Sequence, residues 1–218
     1  MNRIKYTIPI LLLIGAAWFL FGINHQTTNG SHVKSKSEKV WEKIYKSGYR
    51  ARIIEVGKKV TQDDWTYQVN SAQLTKKQGN WLKEDDTWYK CDKNGNVTDH
   101  KTLVKVNITV TQNTNSKSFW LNNSKLELYN KDGTKVVEGY DYELCGATIV
   151  QNTKSNCYQY SLKKGETVTT DLIYAVPDQY IKQTKYYMLE INNTGIDQDE
   201  LLPKEHCHMK LKVKGLGK

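Results

Sequence analysis

The sequence predicts an all-β domain, an antiparallel β-sandwich, preceded by an apolar segment and one short helix. Three observations predict it. From residue 51 onward apolar and polar residues alternate, which is the period of a strand with one face inward and one outward. Turn signals separate the alternating runs, at Asn94-Gly95, Lys131-Asp132-Gly133, Lys163-Lys164-Gly165 and Pro177-Asp178. No helix-length pattern falls between the runs, which argues against parallel βαβ units.

The elements follow in chain order. Tyr6 to Ile23 is an uncharged, predominantly apolar run of 18 residues. As a helix it spans roughly 27 Å, just under the hydrocarbon thickness of a bilayer. Arg3 and Lys5 precede it, as the positive flank of a signal sequence does. The expectation is a signal anchor over residues 1–23, with the C-terminal domain extracytoplasmic on a single-pass chain at the cell membrane. Lys34, Lys36 and Lys39 weaken this charge bias, but the five-residue tail before the run leaves translocation of the large C-terminal part favoured. A cleaved signal peptide is the competing reading. Gly15 and Ala17 offer a small-x-small site, yet Trp18-Phe19-Leu20-Phe21 carries the apolar run past it. Residues 24–50 read as a stalk and a short helix. The stretch 24–37 is rich in Asn, Thr and Ser and lacks apolar periodicity. Ser37 reads as an N-cap and Gly48 as a stop, and Val40, Trp41, Ile44 and Tyr45 share one helical face. A helix of about ten residues persists only by packing on something.

The strands come next, within residues 51–218. Trp65, Tyr67 and Val69 alternate with polar neighbours, as do Val104, Val106, Ile108 and Val110. Leu126 and Leu128 form a third run; Val168, Leu172, Tyr174 and Val176 a fourth; Tyr187, Leu189 and Ile191 a fifth. Cys207, Met209, Leu211 and Val213 form the last, alternating with His206, His208 and lysines. About seven or eight such strands suit a sandwich, each with one apolar face and one wet face.

Composition narrows the function classes. Hydrophobic residues make up 38% of the 218, enough to build a core, so global disorder is excluded. Basic residues number 32 against 23 acidic ones, and without Arg3 and Lys5 the remainder carries +7. That charge suits attraction to an anionic envelope polymer, lipid head group or nucleic acid, but lysines scattered along wet strand faces are the favoured account; an envelope polymer or a protein is the expected partner. Beyond Arg3 only Arg50 and Arg52 are arginines, which counts against specific nucleic-acid reading. The expected assembly is a monomer or weak oligomer, with no cofactor.

Three segments carry a family resemblance. They are VGKKVTQDDWTYQVNSA (56–72), LVKVNITVTQNTNSKSF (103–119) and SLKKGETVTTDLIYAVPD (161–178). In this order they resemble a family of Gram-positive extracytoplasmic domains of unknown function. That family has an immunoglobulin-like sandwich similar to a secreted immunogenic antigen of mycobacteria. The resemblance covers about residues 51–192, with long inserts near 76–100 and 138–160. It implies an extracellular, non-catalytic binding or scaffold domain and supplies no catalytic residues. An accessory subunit of an envelope conjugation or secretion complex is the alternative, and a cell-wall hydrolase a third reading.

Candidate sites are few. The four cysteines are Cys91, Cys145, Cys157 and Cys207, and an oxidising compartment lets an even number pair. Of the three connectivities, the expected one joins Cys145 to Cys157 and, by elimination, Cys91 to Cys207. A metal site on His206, Cys207 and His208 is disfavoured, because strand alternation points the histidines to one face and the cysteine to the other. Asp92-Lys93-Asn94-Gly95-Asn96 has the wrong glycine and glutamate spacing for a calcium loop, and a hairpin turn explains it better. Asp63, Asp64, Glu84, Asp85 and Asp86 read as solvated turn residues. No nucleophile elbow or Cys–His signature is present, so no catalytic residues are assigned and the chain is expected not to be an enzyme. Trp81, Trp88, Tyr89, Trp120, Tyr140, Tyr142, Tyr158 and Tyr160 form the proposed binding surface, since Tyr and Trp dominate recognition hot spots. The competing account has these rings covering the ends of the core.

Overall fold

The computed structural model describes residues 34–47, 52–62, 64–83, 87–115, 119–120, 124–148, 159–160, 162–191 and 207–216. The apolar run 6–23 and the stretch before Lys34 lie outside these residues. Among the described residues no helix is long and apolar enough to cross a membrane.

A leading helix, Lys36–Ser47, opens the described chain. It starts one residue before the expected cap, so Ser37 sits inside its first turn. Fourteen strands follow among the described residues: β1 (Arg52–Ile54), β2 (Lys59–Gln62), β3 (Trp65–Thr75), β4 (Leu82–Lys83), β5 (Lys101–Gln112), β6 (Phe119–Trp120), β7 (Lys125–Tyr129), β8 (Tyr142–Glu143), β9 (Gly146–Ala147), β10 (Gln159–Tyr160), β11 (Thr167–Pro177), β12 (Tyr186–Ile191), β13 (Cys207–Leu211) and β14 (Val213–Lys214). A short helix, Asp178–Gln183, sits between β11 and β12. The expected turn at Pro177-Asp178 is therefore a helix start. Pro177 ends the strand, and the backbone N–H of Asp178 donates to the His100 carbonyl at 2.9 Å.

Two main sheets form the sandwich. The first runs β1-β13-β12-β7-β8, and the second runs β14-β3-β5-β11-β9-β4 with β2 on β3. A separate pair joins β6 to β10. Pairing is antiparallel except for β1 with β13 and β14 with β3. The last expected strand is in fact two: β13 belongs to the first sheet and β14 to the second, so the chain changes sheets at Lys212. The long β3–β5–β11 register places Val69 opposite Ile108 and Tyr174 opposite Val104. A bulge between Val69 and Ser71 turns Asn70 outward, where its Nδ2 donates to Asn107 Oδ1 and Thr109 Oγ1, both at 2.8 Å.

The main core lies between the two sheets and uses the predicted alternating residues. Tyr67, Val104, Val106, Ile108, Leu172 and Tyr174 meet Leu126, Leu189, Cys207 and Met209. Two further clusters lie outside it. The leading helix sets Ile44 against Tyr129 and Met188, with Val40, Trp41, Ile53 and Tyr186 at the margin. These strand residues belong to the face of the first sheet opposite the core. Residues expected to be wet on that face are buried as well: Glu127 and His208 are as enclosed as their inward neighbours. On the outer face of the second sheet, Leu103, Ile173 and Ala175 are covered by Trp81, Tyr89 and Cys145, which come from the two inserts.

Candidate functional site

Two polar arrangements stand out, one buried and one open. The buried one lies on the outer face of the first sheet. Strand alternation sends Glu127, Glu190 and His208 to that face, on three adjacent strands. Glu190 stands directly opposite His208 in the β12–β13 register. His208 Nδ1 lies 2.9 Å from Glu127 Oε2. Lys135 Nζ completes the group at 3.4 Å from Glu127 and 2.7 Å from Asp141. Exposure of Glu127, Glu190 and His208 is 4%, 3% and 6%, which denies a substrate access to the group.

Electrostatics follow from this packing. Burial pushes the Glu127 carboxyl upward, but the hydrogen bond and charge of His208, with the Lys135 ammonium, outweigh it and hold the carboxyl below the usual carboxylate range. Burial disfavours a charged His208, yet Glu127 and Glu190 raise its pKa above the ordinary histidine value. One ligand atom from each of Glu127, Glu190 and His208 lies within 4.8 Å of the others. A cation is a poor fit there, because the imidazole and the Lys135 ammonium already hold the Glu127 oxygens. The arrangement does the work of an ion-pair network that locks three strands together.

The open arrangement is a groove of about 730 Å³ between the leading helix, the turn after β7 and the start of β12. Lys36, Lys39 and Lys43 line one wall, and Lys131 and Lys185 line the other. Val40 and Tyr186 are apolar floor, and the acid in the lining is Asp132, 4.0 Å from Lys43. The helical spacing i, i+3, i+7 puts the first three lysines on one face. The opposite wall is set by the turn at Asn130–Thr134. Asn130 Oδ1 accepts from the backbone N–H of Asp132 at 3.0 Å, and Asp132 Oδ1 accepts from that of Thr134 at 3.0 Å. Gly133 has φ +83° there and lies directly beneath Val40 and Ile44 of the helix. The expectation that lysines scatter along wet faces is thus corrected, since five of them gather in one groove. The i, i+3, i+7 spacing was legible beforehand; the arrival of Lys131 and Lys185 was not.

The predicted aromatic surface does not assemble as expected. Trp81, Tyr89 and Tyr142 are buried at 9%, 0% and 6%. Trp81 Nε1 donates to Tyr89 Oη at 2.8 Å beneath the insert, and Tyr142 joins the main core. Burial removes these three from any contact surface. Tyr140 is exposed and meets the Tyr142 ring edge-on at 5.1 Å, and Trp88 is half-buried. Tyr158 and the side chains of Trp120 and Tyr160 lie outside the described residues.

The expected Cys91–Cys207 bridge is also corrected. Cys91 packs against the cluster that holds Cys145 on the outer face of the second sheet, while Cys207 lies in the core between the sheets. A sheet layer separates them, and a disulfide needs α-carbons within about 7 Å. Cys145 Sγ donates to the Ile173 carbonyl at 3.2 Å, and Cys157 lies outside the described residues. The turn at 92–96 is the expected hairpin turn. Asp92 Oδ1 accepts from the backbone N–H groups of Asn94 and Asn96, at 2.8 and 2.9 Å. His208 is the remaining correction, being buried on the covered face rather than exposed; His206 is outside the described residues.

Residues 54–200 match the family described as Domain of unknown function (DUF4352). The chain belongs to this family. The match spans nearly the stretch that carries the sequence resemblance, and an unknown-function family with a sandwich fold stands. The DUF4352 domain contains β1's end through β12, so the buried ion-pair network draws Glu127 and Glu190 from it and His208 from beyond it. The chain is similar to an uncharacterized beta-sandwich protein from Clostridium difficile 630, at 14% identity over 74% of this chain and 96% of that one, with a TM-score of 0.42. It is similar to the yjhA protein from Bacillus subtilis, at 15% identity over 73% and 99%, with a TM-score of 0.42. A functionally unknown protein from Listeria monocytogenes EGD-e matches at 10% identity over 72% and 82%, with a TM-score of 0.44. Among curated proteins nothing matches the chain.

Proposed function

We propose that this chain is a non-catalytic binding domain, tethered to the cell membrane by its apolar run and presented on the extracytoplasmic side, that takes an anionic partner in the lysine groove. The groove carries the reading. Five lysines around an apolar floor attract negative charge. The sequence supports the tether through Tyr6–Ile23 and its Arg3 and Lys5 flank.

Two measurements on the full chain test this. Membranes from expressing cells are washed in alkaline carbonate, and intact cells are treated with protease. Retention in the pellet with loss of the domain from outside supports the reading; release by carbonate or protection in intact cells overturns the tether or its orientation. Lys39→Glu/Lys43→Glu is then compared with Lys163→Glu/Lys164→Glu for retention on immobilised polyphosphate. The two double variants change charge equally, so equal losses refute a specific role for the groove.

A further inference from the structure

We infer that the anionic partner of the groove is the lipid surface itself: the groove takes the phosphate headgroups of anionic lipids and so lays the domain against the membrane that holds its own apolar run. This rests on the tethered reading above and names the partner of the same site.

Three observations point to lipid rather than to a soluble polyanion. The lining is amphipathic. Val40 and Tyr186 lie between lysines from both walls, which suits a headgroup with the first carbons of its acyl chains; a polymer that is polar throughout leaves that floor wet. Half-buried Trp41 packs next to the floor, its ring meeting Tyr186 edge-on at 5.0 Å. Amphipathic aromatics of this kind favour the membrane–water boundary. The chain length also matters. Twelve residues, 24–35, separate the end of the apolar run from Lys36, the first residue of the groove wall. Twelve residues, whatever their conformation, reach at most about 40 Å. The groove wall therefore stays within a short distance of any bilayer that holds the run, where the local concentration of headgroups is high. The basic groups are all lysine, compact and on flexible stems, which suits mobile phosphates rather than one planar ligand.

The test uses the full chain in lipid nanodiscs. Lysine reactivity toward an amine-acylating reagent is read by mass spectrometry in discs of phosphatidylcholine, and in discs containing about 30% phosphatidylglycerol, an anionic fraction high enough to hold a polybasic patch. Lys39, Lys43, Lys131 and Lys185 are expected to react about 5-fold more slowly in the anionic discs, while Lys163 and Lys164 stay unchanged. High salt reverses the protection. In Lys39→Glu/Lys43→Glu the protection of Lys131 and Lys185 disappears, and Lys131→Glu/Lys185→Glu removes it from Lys39 and Lys43. Equal reactivity in both discs overturns the inference. Protection produced only by added soluble polyglycerol phosphate also overturns it and assigns the groove to a polymer. A chain that enters neither disc overturns the tether instead. The groove is then read with anionic vesicles added from outside, where protection upholds lipid binding and its absence refutes it.

Discussion

Replacing Gly133 by alanine tests how the leading helix is held. Gly133 has φ +83°, and a Cβ there lies 3.2 Å from Ile44 Cγ1, Val40 Cγ1 and the Val40 carbonyl oxygen. Two costs add. The left-handed backbone disfavours alanine by about 1–2 kcal/mol. The contact adds about 1–3 kcal/mol, because the two side chains yield by tenths of an ångström while the Val40 carbonyl moves only with the helix. Gly139 separates the two costs. Its φ is +67° and an added Cβ meets nothing within 4 Å, so Gly139→Ala carries the backbone cost alone. The helix-specific difference of about 1–3 kcal/mol corresponds to roughly a 5- to 150-fold change in an opening equilibrium. Amide hydrogen exchange over residues 36–47 in the full chain reads it directly. Gly133→Ala should speed exchange there by that factor relative to Gly139→Ala. Equal exchange in the two variants refutes the claim that the turn seats the helix.

Three further predictions concern other parts of the fold. His208 has a raised pKa in the folded state, so its contribution is complete below its unfolded value of about 6.5 and is lost as pH rises through the folded value. Glu127 has a lowered pKa, so its contribution is present above about 4.5 and is lost as pH falls through the folded value. Thermal melts should therefore show a fall in stability on the alkaline side that His208→Gln flattens; an unchanged slope in that variant refutes the pairing. Asp178 accepts from Lys76 Nζ at 2.5 and 2.7 Å and from Thr102 Oγ1 at 2.7 Å, joining the residue after β3, β5 and the short helix. Asp178→Ala should cost about 1–2 kcal/mol in denaturant unfolding; a loss within error assigns that ion pair no structural weight. Trp81→Phe removes the donor to Tyr89 Oη and should cost about 1–2 kcal/mol by the same measurement. A Trp81 that in fact served an exposed surface would give no change.

The strands and turns were legible because they follow local rules. Val104 to Val110 alternates with polar residues, and those four apolar side chains all enter the core. Asn94-Gly95 and Lys131-Asp132-Gly133 turn where they do because Gly95 and Gly133 adopt φ of +78° and +83°, a conformation open to glycine and costly to other residues. Period-two alternation also told which residues of β7, β12 and β13 share a face. It did not tell that the second face is covered. That depends on a helix more than 80 residues away in sequence from Glu127, bringing Ile44 onto Tyr129 and Met188.

The same division explains the sites. Sequence alone determined the apolar run, the basic excess, the membership of residues in each strand face and the lysine spacing on the leading helix. Tertiary structure alone decided that His208 meets Glu127, that Cys91 and Cys207 lie on opposite sides of a sheet, and that Trp81 and Tyr89 are core rather than surface. It also brought Lys131 and Lys185 across from Lys39 and Lys43. The physical reason is that alternation and turn chemistry act between near neighbours along the chain. What covers a sheet face, and which charges meet across a groove, is set by contacts between segments whose separation in sequence carries no local signal.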